Sequence, residues 1–409
     1  MRAVVGSSRV TSPIMPASKR KTSTMPYTVW GLALAQALLT TGNILLVAVS
    51  ALIGKQLASH PALVTAPVAS QFLGLILATL PAAFLMQKLG RKKVFVIGNV
   101  FGIIGALVAI QALLSASLLL FTLGIFLTGI AIGIAQQYRF AALDECRAES
   151  HAKAISVVMS GGVLAAFIGP NLAIWSQNWF SQNVYVGAFV GLAVLYVLAL
   201  LLIVCLPLKS HTLAQKANAE VRSYRELRQQ PLFVAAIASG AIGYGVMVFL
   251  MTATPLAMHH HDYAFPDIAV VIQWHVLGMF VPSFFTGHLI KKHGLKPIIL
   301  LGCALLIISA LINLFGQSYV HFFTSLVLLG IGWNFTFIGA TQLVSLTYRP
   351  QEKGKVQGMN DFLVFTTAAI ASLFAGQTVE TIGWMWVNLI SLPLIAVAML
   401  LIAKTRTQV

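Results

Sequence analysis

Ten carboxylates are spread through 409 residues, and none precedes Asp144. Most fall in charged loops, but Asp361 stands six residues past Lys355, about 9 Å along a helix at 1.5 Å per residue. By the same rise, Arg139 stands about 12 Å before Arg147. A carboxylate and a guanidinium at such depth in apolar segments could pass a proton or act as a gate, because an unpaired buried charge costs several kcal/mol. Gln36, Thr40 and Asn43 recur at i, i+4 and i+7 and share one helix face. Gln136, Gln137, Tyr244, Gln273, His275, Trp333 and Asn334 add amides and rings in other apolar segments. Such a set suits a flat, partly apolar solute with several hydrogen-bonding groups; ordinary interhelical hydrogen bonding, worth roughly 0.6 kcal/mol per contact, is the competing use. His259, His260, His261 and Asp262 could bind a transition metal or titrate. No ligand spacing recurs elsewhere, so a solvated loop without metal is expected. Phosphate-cradling loops, nucleophile triads and metalloenzyme signatures are not found, which points away from an enzyme and from any cofactor.

The elements that must position these residues are set by hydropathy. The chain is 58% hydrophobic and 9% charged, with mean hydropathy +0.88, whereas soluble domains carry roughly 25% charged residues. Apolar runs near 28–54, 64–87, 94–114, 117–142, 154–175, 184–206, 232–257, 267–290, 297–315, 319–346, 356–378 and 384–403 each have about the 20 residues that a membrane-crossing helix needs. Transmembrane strands would instead alternate over about 10 residues. The expected fold is an all-α membrane protein with twelve spans.

A net charge of +16 would suggest nucleic acid in a soluble protein, but its placement argues otherwise. Of 26 Lys and Arg, all but Lys55 fall in the two terminal segments or at one side of the predicted spans. The positive-inside rule makes that side cytoplasmic, with both termini there, in the inner (plasma) membrane. The basic, acid-free segment 1–26 is expected to be a cytoplasmic tail, although its composition also fits an organellar transit peptide. Residues 27–206 then form a first six-helix bundle, 207–230 a cytoplasmic linker, 231–404 a second bundle and 405–409 a tail. Cys146, Cys205 and Cys303 imply no disulfide framework.

The two halves echo each other. An offset of 204 residues aligns Leu85 with Leu289, Lys88 with Lys292, Gly90 with Gly294, Lys92 with Lys296 and Gly98 with Gly302. An offset of 202 aligns Arg147 with Arg349 and Lys153 with Lys355. This is the pattern of a duplication about an axis along the membrane normal. The stretch AFLMQKLGRKKVF from Ala83, with Gln87, Lys88, Gly90, Arg91 and Lys92, and its echo from Gly287 to Gly294 resemble the helix 2–3 loop motif of the major facilitator superfamily. Gln87 replaces the acidic residue of that motif, which weakens the charge relay it supports, and Ile125 stands where the family often has an arginine. Gly169-Pro170 is reminiscent of an exporter motif that here lacks its flanking glycines.

The resemblance implies two pseudo-symmetric six-helix bundles that rock about a central cavity lined by helices 1, 4, 7 and 10. It places the amides and rings above in the cavity. It also implies that the cytoplasmic ends of helices 4–5 close against helices 10–11, so that Arg139 and Asp361 would form a gate or proton-linked pair. The expected function is secondary active transport of a small organic solute, proton-coupled and by a monomer, with a small molecule, a proton and the lipid bilayer as partners and no nucleic acid. Segments beginning at Met251, Ile272, Gly330 and Val356 resemble a bacterial group within the superfamily, to some members of which riboflavin uptake is ascribed. Export of drugs, siderophores or metabolites and a non-transporting membrane sensor are the rival readings.

Overall fold

The computed structural model describes residues 25–147, 150–177, 179–180, 184–208 and 222–405; the basic tail apart from 25–26, most of the linker and the last four residues lie outside them. The described residues form helices joined by short turns, with no strand among them. The first half comprises α1 (Tyr27–Leu57), α2 (Ala66–Leu89), α3 (Arg91–Leu114), α4 (Leu118–Ala135), α5 (Tyr138–Asp144), α6 (His151–Ser176) and α7 (Val186–Cys205). A short α8 (Tyr224–Leu227) precedes the second half: α9 (Pro231–His260), α10 (Phe265–Phe280), α11 (Ser283–His293), α12 (Leu295–Phe315), α13 (Tyr319–Ser345), α14 (Lys353–Thr381) and α15 (Trp384–Lys404). Eleven stretches are long and apolar enough to cross a membrane, and the bent pair α10–α11 makes a twelfth. Many large apolar side chains, Leu119 and Phe315 among them, are exposed, as a lipid-facing surface requires.

Two expected helices differ from a single rod. The run 117–142 divides at Gln136–Gln137, where the Gln137 amide bonds to the Ile134 carbonyl at 3.1 Å, a tightening that ends α4 and restarts the chain as α5. The run 267–290 bends by 42° between α10 and α11. Pro282 at the bend lacks the N–H a continuing helix would use, and its ring crowds the carbonyl one turn back.

The duplication is visible in the packing. In the first half α2 and α3 pack on α4, and α1 on α6 and α7; in the second, α10 and α12 pack on α13, and α9 on α14 and α15. A Cβ on Gly129 would strike the Gln71 carbonyl, and one on Gly330 the His275 carbonyl, so the same close helix approach occurs in each bundle. Gly90 and Gly294 both adopt positive φ, 81° and 89°, where an L side chain is strained, and each joins two helices with a one-residue turn. The bundles meet where α2 packs on α14 and α6 on α10.

Candidate functional site

The polar stripe of α1 is partnered within the protein. Gln36 donates to Thr40 Oγ1 at 3.2 Å, and Asn43 Oδ1 accepts from Gln71 on α2 at 2.6 Å. Gln136 and Gln137 occupy the turn between α4 and α5 and are half-buried. Next to them Tyr138 is fully buried, its hydroxyl 2.9 Å from Asn99 Nδ2 and its ring edge-on to Phe95. Arg139 lies over the Phe140 ring at 4.9 Å and keeps a buried Nε without a partner.

In the second half the candidate residues divide between hydrogen bonds that join helices and a cluster of rings. Asn334 is fully buried. Its amide donates to the Met279 carbonyl and to Ser283 Oγ, both at 2.6 Å, and its Oδ1 lies 2.6 Å from Thr286 Oγ1. These are the polar groups on either side of the Pro282 bend, so Asn334 satisfies a broken helix in a region where water cannot. His275 is also fully buried, with Nδ1 2.8 Å from the Leu326 carbonyl between α10 and α13. Gln273 accepts from Asn171 on α6 at 3.1 Å, across the two halves.

Tyr244 and Trp333 are brought together. Tyr244 on α9 stands edge-on to Trp333 at 5.6 Å, Phe337 at 5.3 Å and Phe365 at 5.8 Å. Trp333 and Phe337 stack at 5.0 Å with 11° between planes. Trp333 is 9% exposed, and its indole N–H finds no acceptor. Phe365 continues into a cleft between α2 and α14 lined by Ile76, Thr79, Gly358, Asp361 and Phe362. Asp361 is half-buried there, with Asn360 Nδ2 3.3 Å away. No ion pair closes between Arg139 and Asp361. The result is an aromatic cradle with one free donor, beside a carboxylate.

The loop motif carries an ion pair that its sequence conceals. Arg91 Nη2 lies 2.9 Å from Asp144 Oδ2 at the end of α5, so the acid that Gln87 does not supply comes from the neighbouring span. Gln87 itself is half-buried. Lys88 lies over the Phe84 ring at 4.4 Å. Lys92 Nζ donates to the Val204 and Leu206 carbonyls at 2.7 and 2.8 Å.

At the opposite end of the bundles a contact unforeseen in the sequence joins the halves. Lys55 Nζ sits 2.8 and 3.0 Å from the two oxygens of Glu380, and His260 Nε2 lies 3.1 Å from Oε1. Nearby, Thr65 Oγ1 donates to the Leu373 carbonyl at 3.0 Å and accepts from Gly376 N at 3.1 Å. The available signal was the isolation of Lys55, the one Lys or Arg at that end. Among the described residues no group of three or more His, Cys, Asp or Glu is placed to hold a metal ion.

Twelve spans in two repeated bundles around a partly polar interior define a membrane transporter of the alternating-access architecture. The family model of the Major Facilitator Superfamily matches residues 32–272 and 249–408, and the chain belongs to that superfamily. It is 42% identical over 371 residues to the riboflavin transporter RfnT of Brucella anthropi, covering 90% of this chain and 93% of the relative. It is also 27% identical to the MFS-type transporter YddS of Bacillus subtilis, covering 81% and 80%. Among solved structures, the xylose transporter XylE from E. coli superposes with a TM-score of 0.72 at 13% identity, covering 93% of this chain and 98% of that one. The nucleoside transporter NupG superposes at 0.68 and 16%, covering 93% and 99%; at these identities the likeness concerns the fold. The relatives are transporters rather than enzymes.

Proposed function

We propose that this protein imports riboflavin, or a flavin of the same ring system, across the inner membrane in exchange for the energy of a proton gradient. The observation that carries the reading is the cradle of Tyr244, Trp333, Phe337 and Phe365, in a chain 42% identical to a riboflavin transporter over nearly its whole length. A tricyclic ring offers flat faces for edge-on and stacked aromatic contact, and its carbonyl rim offers acceptors for the unpaired Trp333 indole N–H. The 25 basic residues at the end of the spans that carries the termini support a cytoplasmic location for both.

Arg139 and Asp361 act as the cytoplasmic gate and coupling pair. The hydrogen bonds and ion pairs described between the halves gather toward the opposite end or mid-depth, through Lys55, Thr65 and Asn171. Arg139 and Asp361 meanwhile remain apart. That combination fits a cavity open to the cytoplasm. In the outward-facing state the two groups would meet, and each passage between states would then have to neutralise or re-pair a buried charge.

The test is uptake of radiolabelled riboflavin by cells lacking their own riboflavin synthesis, with and without a protonophore. Growth rescue at micromolar riboflavin together with protonophore-sensitive accumulation is expected. Rescue that is indifferent to the protonophore would remove the proton coupling, and no binding of flavin to the purified protein would remove the substrate.

A further inference from the structure

We infer that Lys55, His260 and Glu380 form a proton-binding site separate from the central cavity, a latch that holds the outer ends of the two halves together and is released when it takes up a proton from outside. The inference rests on the orientation and alternating access set out above. The three groups come from three helices: Lys55 from the last turn of α1 in the first half, and His260 and Glu380 from the last turns of α9 and α14 in the second. Their side chains are 27%, 36% and 16% exposed, so solvent protons reach them while water screens the pair only in part.

The geometry creates a conflict at one nitrogen. His260 Nε2 touches both Lys55 Nζ and Glu380 Oε1. Unprotonated, it can accept from the ammonium but then turns a lone pair toward the carboxylate. Protonated, it can donate to the carboxylate but then sets its proton and charge against the ammonium. The neutral trio of one cation, one anion and one uncharged ring is therefore one proton short of a state that cannot keep all three contacts. Adding that proton to the ring or to the carboxylate weakens the Lys55–Glu380 attraction that spans the halves.

Other titratable groups surround the trio. His259 precedes His260 on the last turn of α9. His261 rests against Phe322, and Asp262 follows at positive φ. His60 turns its Nδ1 to the Ala62 amide at the start of the 3-10 turn Pro61–Leu63, which packs on α14. None of these bridges the halves. Just below, the paired bonds of Thr65 to α14 must also break for the outer side to open, so the latch and Thr65 would part together. The step is the transfer of one proton from the outer solution to the trio and its return when the latch closes.

The test uses the full-length protein in intact cells, with Cys146, Cys205 and Cys303 changed to Ser and a reporter cysteine at Asn171, which lies between the halves. Labelling with a membrane-impermeant maleimide reports outward opening and needs no solute, so its outcome is separable from the flavin reading. In the parent, labelling expressed relative to a permanently exposed reference cysteine, which cancels the falling thiolate fraction, is expected to quicken as external pH falls from about 7.5 to about 5.5, the range in which histidine responds. Glu380→Gln is expected to label about fivefold faster at the higher pH, as loss of one partly buried ion pair implies, and to lose most of the pH response. The exchanged pair Lys55→Glu with Glu380→Lys is expected to restore slow labelling at high pH, which a misfolded protein could not do. Parent-like labelling and pH response in Glu380→Gln, or an exchanged pair no slower than either single variant, would overturn the latch.

Discussion

Lys92 and Lys296 occupy equivalent places in the two halves and do the same thing there. Lys92 donates to the Val204 and Leu206 carbonyls at the end of α7, and Lys296 donates to the Ala403 and Thr405 carbonyls at the end of α15 at 2.6 and 2.9 Å. Each cation caps the last helix of its bundle, where unpaired carbonyls concentrate negative partial charge. The duplication is thus preserved in a hydrogen-bond pattern as well as in residue identity.

Replacing either lysine by methionine keeps the aliphatic stem and removes the cap. Lys92→Met and Lys296→Met should each cost about 1–2 kcal/mol, the value of hydrogen bonds to a partly exposed charged donor. Thermal unfolding in detergent should show similar losses for the two, with arginine at either site recovering part. A large effect at one site and none at the other would break the equivalence.

Asn334 should behave as a structural residue. Asn334→Leu removes the amide from the Met279 carbonyl and from the Ser283 and Thr286 hydroxyls; because Thr286 still donates to the Pro282 carbonyl and Ser283 is exposed, the expected loss is about 1–3 kcal/mol in total. Unfolding temperature and yield should fall, while the affinity of the surviving protein for solute stays within about twofold, read by flavin fluorescence titration.

Trp333 should separate ring stacking from hydrogen bonding. Trp333→Ala removes an aromatic pair contribution of about 0.5–1.5 kcal/mol, a weakening of flavin binding of about twofold to twelvefold. Trp333→Phe keeps a ring beside Phe337 and loses only the N–H. If binding is unchanged in both, the cradle packs the protein and does not hold solute.

Asp361→Asn tests coupling without removing the cleft. Gradient-driven accumulation should fall to the level set by diffusion, whereas exchange of labelled for unlabelled solute should persist, because binding and rocking remain possible. Uptake by the variant should no longer vary with external pH. Normal accumulation with an unaltered pH profile would discard the coupling role, and Arg139→Gln should then be examined for gating alone.

Span number, the one-sided loop charge and the duplication were legible in the sequence because each depends on local hydropathy or on the spacing of charges and glycines. Residues 85–98 and 289–302 display the repeat without reference to any contact. The direction of a polar side chain was not legible, since it depends on rotational phase, about 100° per residue, and two unforeseen interruptions reset that phase. The turn at Gln136–Gln137 changes what Tyr138 and Arg139 face, and the bend at Pro282 turns Asn334 into a structural clamp. Partnership across the halves was equally hidden: Lys55 and Glu380 are 325 residues apart, and Arg91 finds Asp144 on a different span. Hydrophobicity determined that twelve helices cross the membrane, but only their packing decided that Lys55 would meet Glu380 while Arg139 and Asp361 stayed apart, because such contacts are set by the approach of two separately folded bundles.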